Sequence, residues 1–186
     1  MRKLFSFNMV TLDGFFEGPH QDISWHHVDQ EFNEFAITQL GEVDTLLFGR
    51  VTYQMMASYW PTPAAIADDP IVAGQMNRMP KIVVSRTLEK ADWNNTRLIK
   101  DHVAEEILKL KQQPGNDLAL FGSANLMSTL MQLDLIDEHR IMVNPIILGS
   151  GTPLFKRSSY KLSLKLVKTR IFGNGNVLLC YQPGRK

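Results

Sequence analysis

The sequence predicts a three-layer α/β fold, with a central mixed but mostly parallel sheet, helices on both faces and a C-terminal antiparallel hairpin. Three observations carry this expectation. Short apolar runs alternate along the chain with stretches whose apolar residues recur every three or four positions, the pattern of strands alternating with helices. The sharpest junction is Leu118-Ala119-Leu120-Phe121-Gly122-Ser123-Ala124-Asn125-Leu126, where an apolar run breaks at glycine. It restarts at helical spacing with Leu126, Met127, Leu130, Met131 and Leu133. Near the C-terminus, the alternating Leu162, Leu164 and Leu166 and the apolar Val177 to Tyr181 flank Gly173-Asn174-Gly175-Asn176, a turn signal between two strands.

Taken in order, Leu4 to Val10 reads as the first strand, with Phe5, Phe7 and Met9 on one side. It ends at Thr11-Leu12-Asp13-Gly14, where Asp-Gly marks a turn. A long loop follows through Gly18-Pro19 to Trp25. Val28, Phe32, Phe35, Ala36 and Leu40 then share one helix face, stopped by Gly41. Thr45 to Phe48 is a short strand, and Gly49-Arg50 opens a helix carrying Val51, Met55, Met56 and Tyr59, closed by Pro61 and Pro63. Thr62 to Pro80 mixes Ala, Asp and Pro and is expected to be loop plus one short helix. Lys81 to Ser85 is a strand, a short one at Arg97 to Ile99 comes next, and a helix runs from His102 to Gln112, with Glu105 and Lys109 placed as an i,i+4 pair. The strand Leu118 to Phe121 and its helix precede a strand near His139 to Asn144.

The 186 residues suffice for one sizeable core, and no linker divides them, so residues 1–186 are expected to form a single domain. A net charge of +1 with no basic run excludes nucleic acid as the main partner. The lone Cys180 can form no internal disulfide, which suits a reducing cytoplasm. Met1-Arg2-Lys3 starts basic, but Ser6, Asn8 and Thr11 interrupt the apolar run behind it, the mark of a first strand and not a signal peptide. No segment reaches membrane-spanning length, so no membrane partner is expected.

Chemistry is expected at three corners: Phe48-Gly49-Arg50-Val51-Thr52-Tyr53, Val84-Ser85-Arg86-Thr87 and Phe121-Gly122-Ser123-Ala124. In a parallel sheet the C-terminal strand ends lie on one edge, so these corners can converge on one ligand. The first and third offer helix N-termini, Arg50 and Arg86 offer guanidinium forks, and Ser85, Thr52 and Thr87 offer hydroxyls. Separated phosphates on one ligand, as in a phosphorylated dinucleotide, match all three. His26-His27 beside Asp22 lacks a second cluster that would complete a metal site, so no metal is expected. No Ser-His-Asp spacing or Gly-x-Ser-x-Gly elbow supports nucleophilic hydrolysis. Trp25 and Phe16 can stack on a flat heteroaromatic ring or anchor their own loop.

These motifs, in this order, resemble the dihydrofolate reductase-like superfamily, in particular the reductase domain found at the C-terminus of the riboflavin-biosynthesis deaminase/reductase. The markers are Thr11-Leu12-Asp13-Gly14-Phe15, Leu47-Phe48-Gly49-Arg50-Val51-Thr52-Tyr53, Lys81-Ile82-Val83-Val84-Ser85-Arg86-Thr87-Leu88, Phe121-Gly122-Ser123-Ala124-Asn125-Leu126, and the run from Leu135-Ile136-Asp137-Glu138-His139 through Asn144-Pro145-Ile146-Ile147-Leu148-Gly149-Ser150-Gly151. The resemblance implies NADPH as cofactor and reduction of a small heterocyclic substrate. Gly49, Arg50 and Thr52 would sit at cofactor phosphates, Ser85 and Arg86 would select the 2′-phosphate, and Gly122, Ser123, Ala124, Asn125 and Leu126 would carry the pyrophosphate. Asp13 to Gly18 would form a loop over the nicotinamide, with Asp13, Phe16 and Trp25 near the substrate.

The chain departs from the resemblance in three places, one of them Gly49-Arg50-Val51-Thr52-Tyr53, where the riboflavin-type domain favours a different motif. The candidate proton donors are Asp13, Asp29 and Glu31, and neither Asp29 nor Glu31 falls on the first-helix position of the folate enzymes' acid. Phe15-Phe16 stands where the riboflavin-type domain has a lysine after Asp-Gly. Two functions therefore stay open, an NADPH-dependent reductase and a nucleotide-binding protein with little turnover. The apolar run Pro145-Ile146-Ile147-Leu148, with Leu154-Phe155 beyond, is expected either to pair two chains as a homodimer or to continue a buried strand. Such pairing is also what the riboflavin-type resemblance implies.

Overall fold

The computed structural model describes residues 1–155 and 161–184. The chain order is β1 (Leu4–Thr11), β2 (Phe15–Glu17), α1 (Gln30–Gly41), β3 (Val43–Gly49), α2 (Arg50–Tyr59), α3 (Pro63–Asp68), α4 (Pro70–Arg78), β4 (Lys81–Val84) and β5 (Thr96–Ile99). It continues with α5 (Val103–Gln112), β6 (Asp117–Phe121), α6 (Ala124–Gln132), β7 (Glu138–Asn144), β8 (Thr152–Pro153), β9 (Leu164–Ile171) and β10 (Val177–Pro183). The main sheet has eight strands in the order β5-β4-β3-β6-β1-β7-β10-β9. Strands β5 through β7 in that order are parallel, and β10 pairs antiparallel with both β7 and β9. The expected mixed sheet and terminal hairpin are both present.

Strand periodicity sorts the core onto two faces. Leu4, Leu47, Ile82, Leu118 and Leu120 pack with Ile107 of α5 and Met127 and Leu130 of α6. Their chain neighbours Phe5, Leu46, Phe48, Val83, Ala119 and Phe121 pack on the opposite face with Leu40 of α1, Tyr53 of α2 and Val72 and Met76 of α4. Strands β3, β4 and β6 are buried on both sides, which is why residues 46–48, 82–84 and 118–121 read as apolar runs, while β1, buried likewise, carries the polar Ser6 and Asn8. The hairpin turn closes through Phe172, whose C=O accepts the Gly175 N–H at 3.0 Å, with Gly175 at φ +88°.

Several expectations are corrected. Thr62 to Pro80 holds two helices, because Thr62 and Asp69 each cap a helix that begins with proline, so the same start signal occurs twice. Lys109 pairs with Glu106 at 3.0 Å and not with Glu105, which faces His102 instead. Glu106 also accepts from Arg97, a cross-element contact that spacing along one helix does not reveal. Pro145 to Leu148 do not continue a buried strand: β7 stops at Asn144, and Ile147 is 72% exposed. Leu162 precedes β9, which starts at Leu164.

Lys81 lies almost wholly buried at the end of α4, donating to the Met79 and Asn77 carbonyls at 2.7 and 3.2 Å, with its ammonium 4.5 Å from the Trp93 ring centroid. Among the described residues no carboxylate pairs with it, and burial pulls its pKa down to about 8. A lysine whose folded pKa lies below its unfolded value binds fewer protons folded than unfolded between the two. Stability from this group therefore rises as pH climbs from about 8 towards 10.5. Relative to Lys81→Met, the parent should gain about 2 kcal/mol of unfolding free energy across that window. Urea titrations at both ends measure the gain, and a difference independent of pH would refute it.

Candidate functional site

The C-terminal ends of the parallel strands form one edge of the sheet, and α2, α5 and α6 begin there, after β3, β5 and β6. None of the three carries a side-chain cap. By contrast, α1, α3 and α4 are capped by Asp29, Thr62 and Asp69. Uncapped first turns leave oriented amide groups and the positive end of the helix dipole without a side-chain acceptor.

Strands β3 and β6 are neighbours, so the N-termini of α2 and α6 meet. The Gly49 N–H donates to Ser123 Oγ at 2.7 Å, and that hydroxyl donates in turn to the Phe121 carbonyl at 3.2 Å. Gly122 and Ser123 are both left-handed, at φ +55° and +61°. A Cβ on Gly122 would lie 3.0 Å from Thr52 Cγ2, so a side chain there would press on Thr52 and be strained by the left-handed backbone. Thr52, Ser123, Ala124 and Leu126 are buried, the last two turned into the core, which leaves their backbone as what they can present. Asn125 and Arg50 are exposed, and Arg50 donates to Gln54 at 2.9 Å.

The third corner sits on β4, next along the edge. Ser85 Oγ accepts the N–H groups of Leu88 and Thr87 at 3.0 and 3.2 Å, and the Ser85 N–H donates to the Ile99 carbonyl. Its hydroxyl therefore shapes the turn that presents Arg86. That arginine is exposed and has no hydrogen-bond or ion-pair partner among the described residues. The ten residues expected at a cofactor thus lie on three adjacent strand ends, with Gly49, Thr52, Gly122 and Ser123 brought into direct contact.

Across β1 the edge is occupied by loops. Asp13 accepts from the Thr11 hydroxyl at 2.6 Å and from the Gly149 and Leu148 amides at 2.8 and 3.2 Å, contacts that hold its carboxyl below the usual range. Phe15 to Glu17 form β2 against β8, and Phe16 packs partly on the core. A Cβ on Gly151, at φ +145°, would collide with the Glu17 carbonyl, which is how β8 comes so close to β2. Trp25 is buried and donates from Nε1 to the Asp22 carbonyl at 3.0 Å, so it anchors its own loop. Asp29 caps α1 through the Phe32 N–H. Glu31 accepts from the Gly173 N–H and from Arg170, tying α1 to the hairpin and holding its carboxyl low. Each of the three candidate acids is engaged in holding the fold.

Two asparagines that sequence reasoning missed fix this loop. Fully buried Asn144 accepts the His27 N–H at 2.9 Å, and fully buried Asn176 donates to the His27 carbonyl at 2.8 Å. The Asn144-Pro145 step, a turn signal directly after a strand, was the available clue. Next to it, burial pushes the His26 pKa down to about 4, so its imidazole is neutral near pH 7. Among the described residues, no group of three His, Cys, Asp or Glu side chains is placed to hold a metal, and no helix is long and apolar enough to cross a membrane.

The fold is dihydrofolate reductase-like: dihydrofolate reductase from Enterococcus faecalis, complexed with NADP(H), superposes with a TM-score of 0.66 at 15% identity, over 98% of this chain and 97% of that one. The chain belongs to the family described as the RibD C-terminal domain, whose profile matches residues 2–178. The uncharacterized protein YyaP of Bacillus subtilis (strain 168) is 36% identical over 178 residues, 92% of this chain and 90% of that protein. A candidate riboflavin biosynthesis protein from Shewanella sp. PV-4 has a TM-score of 0.77 at 24% identity, covering 98% of this chain and 99% of that one.

Proposed function

We propose that this protein is an NADPH-dependent reductase of a small heterocyclic substrate. The observation that carries the reading is the contact between two uncapped helix N-termini at Gly49 and Gly122-Ser123, with Arg86, which has no partner among the described residues, on the turn after the neighbouring β4. Two features support the cofactor: the side-chain-free Gly122 lets the backbone come close, and the amide groups of both first turns suit phosphates. In this reading the backbone from Gly122 to Leu126 holds the pyrophosphate, while Gly49, Arg50 and Thr52 hold the adjoining phosphate region. Ser85 positions Arg86 to bind the 2′-phosphate. Bound NADPH would supply the hydride. The loop fixed by Asn144 and Asn176, with Phe16 and the Asp13 turn, would shield the nicotinamide side from water. We place the protein in a reducing cytoplasm, where the buried Cys180, its thiol pKa raised by burial, stays protonated. We also propose a homodimer, supported by Ile147 and Phe155 at 72% and 51% exposure beyond β7.

The engagement of Asp13, Asp29 and Glu31 in structural hydrogen bonds favours a second reading, a nucleotide-binding protein with little turnover. Oxidation of NADPH, followed by its reduced-nicotinamide absorbance against pterins, folates, pyrimidines and quinones, separates the two. Substrate-dependent loss above background is the expected result. Silence across the panel with NADPH tightly bound establishes the second reading, and failure to bind NADPH removes both.

A further inference from the structure

On the sheet face that carries α1 and α2, the helices leave apolar side chains partly uncovered next to the Gly122 corner. Phe7, alone in β1, is only half-buried, and its C=O accepts the Gly122 N–H at 3.1 Å. Its ring centroid lies 5.9 Å from that of Phe35 on α1 and 5.9 Å from that of Phe121 at the end of β6. Ala36 of α1, Met56 of α2 and Trp60 just after it pack half-buried against the same core as Phe7. Half-buried Phe32 of α1 joins Phe7 on the hairpin side. The only polar side-chain atom in this set, Trp60 Nε1, donates to Met56 Sδ at 3.1 Å. Strands β1 and β6 and helix α1 contain no lysine or arginine, and the one in α2 is Arg50, its first residue. On β7 and β9, Arg140 is held by Glu42 and Glu138, and Arg170 by Glu31.

We propose that the substrate seated on this face is a flat, uncharged heterocycle of quinone type, without a phosphate or carboxylate tail. The inference rests on the reductase reading above and names its substrate class. Partly exposed aromatic rings offer stacking and edge contacts to a flat ring. An anionic tail laid on the same surface would lose water and gain no cation. The state of the acids selects the acceptor. When hydride adds to the carbon of a ring C=N bond, the nitrogen is left strongly basic and calls for a proton from a positioned acid. Asp13, Asp29 and Glu31 are all engaged in holding the fold. A quinone needs no such donor. It takes the hydride onto one carbonyl oxygen, its ring becomes aromatic, and the other oxygen, now an oxyanion, takes a proton from water. The bond broken is the nicotinamide C–H bond, so quinone, NADPH and one proton give hydroquinone and NADP+.

Oxidation of NADPH by quinoline p-quinone, and by the same ring bearing a carboxylate, tests this once the rate without protein is subtracted. The parent should use the neutral ring with a kcat/KM about tenfold higher, the difference lying in KM. By calorimetry, the protein saturated with NADP+ should bind quinoline more tightly than quinoline carboxylate. Ala36→Phe should raise KM for the neutral quinone and leave NADPH affinity unchanged. Asn33→Arg, one turn earlier on the same stripe of α1, should bring the carboxylate ring up to the neutral one, and it supplies the test if Ala36→Phe does not fold. A parent that binds no NADPH overturns the reductase reading and this one together. A parent that reduces dihydrofolate or a phosphoribosyl-pyrimidine faster than the neutral quinone keeps the reductase reading and overturns the substrate class. Equal use of the neutral and carboxylate rings, or use of neither, overturns the substrate class as well.

Discussion

Replacing Arg86 with alanine is expected to weaken NADPH binding by about 5- to 150-fold and to leave NADH almost unchanged, as a lost charge-assisted contact is worth ~1–3 kcal/mol. Arg86 stands exposed on the turn after β4 with no partner among the described residues, so its removal breaks no internal contact. The turn itself survives, because the amides of Thr87 and Leu88 are held by Ser85 and not by the arginine. The variant should therefore melt like the parent. Arg50 makes an informative contrast, since its guanidinium is shared with Gln54 on the same helix and its loss should discriminate less between the two cofactors. Calorimetric titration of both cofactors into both proteins measures the effect. Equal affinity of the parent for NADPH and NADH would remove the 2′-phosphate assignment.

The three corners are legible in the sequence because their cause is local. Glycine followed by small hydroxyl residues marks where a strand can turn sharply into a helix, and the parallel sheet then brings successive corners to one edge. The roles of the acids are not legible, because a carboxylate's partners can come from anywhere in the chain. Asp13 is held by amides 135 and 136 residues away, and Glu31 by groups 139 and 142 residues away. No spacing rule separates such an acid from a free one. Strands β2 and β8, of three and two residues, are too short to show any period. The helices α3 and α4 are hidden for another reason: their caps are clear, but each is short and lacks a long apolar stripe.

The largest loss of stability is expected at the opposite end of the sheet, from Asp44→Ala. Arg2 is 6% exposed, and its guanidinium donates to Asp44, to Thr45 Oγ1 at 2.9 Å and to the Asn116 carbonyl at 2.5 Å. Asp44 accepts the Asn116 N–H at 2.8 Å with its other oxygen, so one carboxylate joins the N-terminus, β3 and the entry to β6. Gly115, at φ +143°, is kept side-chain free here because a Cβ would strike that carboxylate. Burial pulls the Arg2 pKa down, against the opposing charge of Asp117. Removing Asp44 strips that cation of its hydrogen-bonded carboxylate and leaves the charge of Asp117 to offset it, at a cost of about 3 kcal/mol. Arg2→Met removes the buried member instead, and the Asp44 side chain, 39% exposed, recovers water. That change should cost only about 1–2 kcal/mol, because an exposed carboxylate loses little when its partner goes. The double variant should then be more stable than Asp44→Ala alone, since it leaves no buried ion behind. Urea unfolding followed by tryptophan fluorescence measures all three, and a larger loss in Arg2→Met than in Asp44→Ala would reverse the assignment of which partner is buried.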